Sequence, residues 1–268
     1  MQGVTVADLF PSLGDSGFVP IFPKGDIWEI LNPDNENNLK SQFLDMERGR
    51  LGFEERYWFD ELEEWLLDSV MQRRKPRQVV DLSNGGYGLQ DEYWYPLAHG
   101  EIHGQTQNCV ISSSAKIGKD VCIEGPVYIG KNAEIRHGAY IRPYSWISEG
   151  AVVGHCTEVK HSILLPGAKA PHFNYVGDSI LGTGVNLGAG CKLSNFRNDG
   201  RNILIRDGET GELLKDSGLR KFGAILGEGV QLGCNVVTNP GTIMGKESGA
   251  WPNVTVSGLI KSGQTVKE

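Results

Sequence analysis

Isoleucine or valine recurs at every sixth position across one stretch of this chain: Ile111, Ile117, Ile123, Ile129, Ile135, Ile141, Ile147, Val153 and Val159. Four residues after each anchor the side chain is mostly small, as at Ala115, Ala133, Ala139, Ser145, Ala151 and Thr157. A second register runs Leu226, Leu232, Thr238, Met244, Ala250 and Val256, and the segment from Leu181 to Leu193 keeps the pattern between them. Neither a helix nor an ordinary hairpin has this period. A short strand followed by a tight corner does. Three such units close a triangular coil of 18 residues. Coils of this kind stack as parallel strands about 4.8 Å apart, with the anchors pointing inward. The repeat therefore predicts a mainly β protein built on a parallel β-helix over residues 108–268, with its handedness left open.

Residues 1–107 lack the period and are predicted to form a separate, partly helical arm. "NENNLKSQFLDMERG" and "EERYWFDELEEWLLDSVMQRR" read as helices, the second amphipathic from Glu54 to Arg74 and ending before Pro76. "DLSNGGYG" reads as a loop. An arm of this kind packs on the β-helix or caps its first coil, whose strand edges are otherwise unpaired; the alternative is a surface that docks a partner. Two stretches are predicted to interrupt the solenoid as extruded loops. These are "PGAKAPHFNY" (166–175) and a longer insertion (194–223), in which "ILIRDGETGELLK" reads as a hairpin around Gly208 to Gly211.

Bulk charge narrows the ligand classes. The chain carries 26 Lys and Arg against 33 Asp and Glu, a net charge of −7. That balance favours neither nucleic acid nor an anionic membrane, and any anionic ligand needs a local basic cluster. Cys109, Cys122, Cys156, Cys191 and Cys234 are odd in number and contain no C-x-x-C pair, so they read as buried fillers in a reducing compartment. No signal-type start and no apolar run of bilayer length is present, so the expectation is a cytoplasmic protein.

Arg142 and Lys160 each follow an anchor directly and lie one coil apart, so they are expected to stack on one outer face. Two stacked cations suit a dianionic phosphate, or they are ordinary surface charges offset by Glu124. His137 and His155 are stacked by the same arithmetic, with His161 one face further on. They are either solvated or interface histidines, or zinc ligands shared between subunits; no third ligand is placed by geometry, so no metal is expected. His172 sits in the first predicted interruption. It is either a proton acceptor for an amine, hydroxyl or thiol, or a loop histidine tied to a backbone carbonyl.

The segment "EVKHSILLPGAKAPHFNYVGDSILGTGVNLGAGCKLSNFRNDG" resembles the acetyltransferase domain of the bifunctional glucosamine-1-phosphate acetyltransferase/N-acetylglucosamine-1-phosphate uridylyltransferases. Those carry K-A-x-H-x-x-Y-x-G-D, then V-N-x-G-A-G, then Asn before Asp-Gly. "RKFGAILGEGVQLGCNVVTNPGTIMG" and the hairpin insertion resemble the tails of archaeal sugar-phosphate nucleotidylyltransferases. The resemblance covers roughly residues 110–258 and implies a left-handed β-helix that trimerises, with sites between subunits.

It further implies acetyl transfer from acetyl-CoA, as co-substrate, to the amine of a hexosamine 1-phosphate, glucosamine 1-phosphate first. His172 resembles the catalytic base. Arg142 and Lys160 resemble the grip on the acceptor phosphate, while Tyr175 and Asn186 resemble further acceptor contacts. Ala189 resembles the residue whose N–H holds the oxyanion, and Asn195 the bridge between acceptor and acetyl-CoA. Cys234 and Ser248 fall where cofactor contacts are expected. The family's Gly-rich nucleotide loop has no counterpart in residues 1–110, so nucleotidyl transfer is not expected. The family's lysine beyond Asp-Gly has only Lys221 as a candidate. Three rivals remain: a non-catalytic module that partners a separate nucleotidyltransferase, an acetyltransferase for another amine such as a nucleotide-linked amino sugar, and a metal-dependent hydratase.

Overall fold

The computed structural model describes residues 4–15, 19–47, 78–82, 86–90, 102–103, 109–112 and 114–268. The chain winds through three flat faces in turn. Face I holds Cys109–Ser112, face II Lys116–Ile117 and face III Val121–Ile123, and the cycle then repeats from Val127–Ile129. Every neighbouring pair along the stack is parallel, as in Trp146 beside Ile163 on face I and Val159 beside Val176 on face III. This is the expected left-handed parallel β-helix. All nine anchors from Ile111 to Val159 lie in one continuous core, as do Leu226, Leu232, Met244, Ala250 and Val256 of the second register.

Each of the three edges of the prism turns through a left-handed residue. On the edge between faces II and III these include Gly138, Cys156, Phe173 and Gly190. On the edge between faces III and I, Tyr144 has φ 64°, His161 φ 45° and Asp178 φ 47°. Asn, Asp and Gly tolerate this conformation; a tyrosine or histidine there costs about 1 kcal/mol.

The stretch 166–175 is not an extruded loop. Lys169–His172 is a strand of face II and Tyr175–Gly177 a strand of face III. What breaks the six-residue count is a shortened corner: the inward residues step from Val159 to Leu164, and again from Val176 to Leu181. Those coils have 17 residues, so Val153 pairs with Ala170 and Val159 with Val176. The insertion does contain a hairpin, Leu204–Arg206 against Leu213–Asp216. Its turn is held by the Asp207 carboxylate, which accepts from the N–H groups of Glu209 and Thr210.

The residue before each anchor points outward, and the three faces differ there. Face III presents Tyr140, Glu158, Tyr175 and Lys192. Face I presents Tyr128, Trp146, Ile163, Ile180, Ile225 and Ile243, all buried. An apolar ladder of that length must be covered. Leu9, Phe10, Ile27, Trp28, Leu31, Leu39 and Phe43 of the arm cover it, with Ile203, Ile205 and Phe222 of the insertion. Trp28 stacks on Phe222 at 6.1 Å, and Phe43 meets Trp146 at 5.7 Å. Glu228 fastens the arm, accepting from the Ser12 N–H and hydroxyl.

Of the predicted helices, Leu39–Glu47 is present, and the one from Glu54 to Arg74 lies outside the described residues. "DLSNGGYG" is more than a loop, since its ends join strands Gln78–Leu82 and Gly86–Gln90 of an antiparallel hairpin. That hairpin extends face I upstream of Cys109–Ser112, and Ile102–His103 extends face III. The sheets thus begin before residue 108. Two cysteines are buried fillers: burial pushes the Cys109 thiol up to about 12 and Cys191 up to about 11. Cys156 and Cys234 are exposed, so the reading as buried fillers fails for them. No helix among the described residues is long and apolar enough to cross a membrane.

Candidate functional site

Face III ends, on its edge with face I, at Arg142 and Lys160 in adjacent coils, as the spacing predicts. They are not a bare pair of cations. Arg142 Nη1 meets Glu158 Oε1 at 2.8 Å, and Lys160 Nζ meets Asp178 Oδ2 at 3.0 Å. The Glu158 hydrogen bond raises the Arg142 pKa. Neutralising carboxylates are what a half-buried cation needs before a ligand arrives.

Asp178 is the hub. Its carboxylate is 4% exposed. It accepts from Lys160, from His161 Nδ1 at 2.8 Å and from Asn195 Nδ2. Burial works to raise its pKa, but the hydrogen bond and charge of His161, then Lys160 and Asn195, outweigh it and leave the pKa lowered. A carboxylate only accepts, so His161 Nδ1 carries its proton. His161 Nε2 has no partner although the residue is 7% exposed.

Tyr175 completes this cluster. A side chain on Gly177 would strike its hydroxyl at 2.6 Å and Asn195 Nδ2 at 2.8 Å, so glycine lets both side chains sit where they are. Burial, then the charges of Asp178 and Glu158, raises the Tyr175 pKa.

Arg142, Lys160, His161 and Asp178 line a cavity of about 790 Å³, walled further by Leu31–Asp34 and Lys40 of the arm, and by Phe196 and residues 218–221 of the insertion. Five cations reach it: Lys40, Arg142, Lys160, Arg220 and Lys221. Only Asp34 and Asp178 oppose them on its walls. This is the local basic cluster that the overall acidity demanded.

The remaining candidates lie elsewhere. His172 closes its strand on face II, exposed, with its ring near that of Phe173 at 6.2 Å. No contact within the described chain joins that ring to Arg142, Lys160 or Tyr175. The shortened coils put His137, His155 and His172 at one position in three successive turns, and Ala189 and Cys234 continue the column. The Gly190 N–H donates to the His172 carbonyl, and the Asn235 N–H to that of Ala189. His137 and His155 stack at 5.4 Å with planes 8° apart. Each Nδ1 faces a backbone carbonyl of the preceding coil. Among the described residues no group of three or more His, Cys, Asp or Glu could hold a metal ion. Asn186 is half-buried on face II beside Lys169. Ser248, expected at the cofactor, is 2% exposed and donates its hydroxyl to the Gly245 carbonyl at 2.7 Å, so it serves a corner of the solenoid instead.

Asp178 and Glu158 have no role in the sequence reading, and His161 appears there only beside the stacked histidines, not as a partner of Asp178. Asp178 stands inside the quoted "YVGD", where its signal is available.

Residues 123–248 match the family described as the GMPPB C-terminal domain. The chain is 33% identical over 179 residues to a bifunctional sugar-1-phosphate nucleotidylyltransferase/acetyltransferase of Sulfurisphaera tokodaii, covering 60% of this chain and 44% of that protein. It is 32% identical over 178 residues to the bifunctional protein GlmU of Methanococcus aeolicus, covering 60% and 42%. With GlmU of Clostridium novyi it shares 33% over 133 residues, covering 50% and 24%. The chain thus spans less than half the length of these relatives, and its solenoid is related to part of each.

Proposed function

We propose that this chain transfers an acetyl group from acetyl-CoA to the amine of an amino sugar bearing a phosphate on its anomeric carbon. Glucosamine 1-phosphate is the first acceptor of that class to test. The observation that carries the reading is the basic cavity at Arg142 and Lys160 in a chain of net charge −7. The name of the Sulfurisphaera tokodaii relative, which joins a sugar 1-phosphate to acetyl transfer, supports it.

In this reading the phosphate docks on Arg142 and Lys160, with Tyr175 and Asn195 beside it. The amine nitrogen attacks the thioester carbonyl carbon. His172 takes the proton from that nitrogen, the Ala189 N–H steadies the oxyanion, and the C–S bond breaks to release CoA. His172 and the cation pair stand at opposite edges of face III, so the reacting groups meet between subunits of a homotrimer. Asn186 is a further acceptor contact, and Asn195 and Cys234 lie toward acetyl-CoA.

The test is release of CoA thiol with glucosamine 1-phosphate present. His172→Ala is expected to fold and trimerise but to lose roughly 10²- to 10⁴-fold in rate. Mixed trimers of His172→Ala and Arg142→Ala chains are expected to regain part of the activity, because some interfaces then hold both intact residues. Full activity of His172→Ala would remove it from the role of base. One observation favours a second reading, a binding module without catalysis: among the described residues no carboxylate or carbonyl orients the His172 ring. No turnover by a wild-type trimer that still binds the sugar phosphate would favour that reading.

A further inference from the structure

Arg142 and Lys160 are largely neutralised by Glu158 and Asp178, so the positive character of the cavity comes from elsewhere. Lys40, Arg220 and Lys221 supply it, and none of the three has a carboxylate partner among the described residues. Lys40 lies over the Tyr144 ring at 5.2 Å, and Arg220 Nε donates to the Gly200 carbonyl at 2.9 Å. These three come from the arm and the insertion, not from the repeat.

The insertion brings its two ends together. Phe196 pairs with Lys221 in an isolated antiparallel bridge, and the Phe222 N–H donates to the Asn195 carbonyl. Phe196 is 45% exposed on the cavity wall. Its ring and the Arg220 guanidinium both come within van der Waals reach of the Cβ position of Gly200, a left-handed residue with φ 68°. An exposed aromatic ring beside unpaired cations, next to a phosphate grip, is the chemistry that holds a base and a second phosphate. A volume of about 790 Å³ is ample for more than a sugar monophosphate.

We propose that Lys40, Arg220, Lys221 and Phe196 form a nucleoside-diphosphate subsite, so that the acceptor is a nucleotide-linked amino sugar whose inner phosphate lies at Arg142 and Lys160. The proposal deepens the acceptor reading above and rests on it for those two residues. Lys40, Arg220 and Lys221 take the outer phosphate, and Phe196 stacks on the base.

Binding is measured calorimetrically on the full chain without acetyl-CoA, so a failure of acetyl transfer leaves this result standing. The probes are inorganic phosphate, glucosamine 1-phosphate, uridine 5′-diphosphate and guanosine 5′-diphosphate. At least one diphosphate is expected to bind about a hundredfold tighter than glucosamine 1-phosphate, as two further charge-assisted contacts would give. Arg220→Ala/Lys221→Ala is expected to reduce that preference to within a few-fold. Phe196→Ala is expected to cost about tenfold for the diphosphates alone. Circular dichroism and trimer mass confirm that each variant is folded. Equal affinity for diphosphates and glucosamine 1-phosphate would overturn the proposal, as would a preference that survives loss of both insertion cations. CoA also carries a nucleoside diphosphate. Displacement of the bound diphosphate by CoA, with glucosamine 1-phosphate still binding, would give the subsite to the cofactor and overturn the acceptor assignment.

Discussion

Asp178 holds three donors from two segments, and almost none of its surface meets water. Removing one partner of such a cluster leaves the others buried without their counter-charge. Asp178→Asn is therefore expected to cost about 3 kcal/mol of stability at neutral pH. The pH dependence has a definite sign. The folded pKa of Asp178 is lowered, so its contribution is complete above the ordinary value of 3.8 and is lost as pH falls through the lower folded value. Denaturant unfolding of wild type and Asp178→Asn at pH 7, 5 and 3 should show the difference narrowing only at the acid end. The site was only half legible at this scale. Arg142, Lys160, Tyr175 and Asn195 follow from the repeat and the composite motif. Asp178 belongs to the same motif, but nothing in its identity says that a carboxylate sits at the centre of a basic cavity; that depends on which donors the corner brings within reach.

At the scale of strands and coils, the six-residue step predicts the solenoid and its core but misreads the stretch around His172. Ile163, Leu164 and Leu165 are all fully buried, so hydrophobicity alone cannot tell which of them points inward. The register shows it is Leu164, and one residue is lost from the coil. What looked like an interruption is ordinary strand in a shorter turn. Gly154 tests this packing. A Cβ there would lie 1.6 Å from the Pro171 carbonyl oxygen, which is backbone and cannot swing away. Gly154→Ala is expected to destabilise the solenoid by about 3 kcal/mol, read by thermal unfolding. An extruded loop at 166–175 would have absorbed the change.

For the whole molecule, the arm is a cover for an apolar face. The repeat does not reveal this, because the positions that carry the signal are the outward ones before each anchor, and face I has them apolar in coil after coil, at Tyr128, Trp146, Ile163, Ile180, Ile225 and Ile243. Solenoid coils touch their neighbours and little else, so the arm and the solenoid need not fail together. Trp28, 1% exposed and stacked on Phe222, is the largest buried side chain among the described residues of the arm. Trp28→Ala is expected to cost about 3–5 kcal/mol at that interface, seen as protease cleavage within residues 4–47 while residues 114–268 stay resistant. The three edges of the prism also differ in what they allow. Between faces I and II, and between II and III, the inward residues keep their six-residue count. Every change of coil length described above falls on the third edge: the two shortened corners and the insertion of residues 194–223. The molecule thus separates two kinds of inheritance along its length. Two edges are a ruler on which chain length is fixed by stacking. The third is a margin where residues can be added or removed without disturbing the count elsewhere, and the basic cavity opens there.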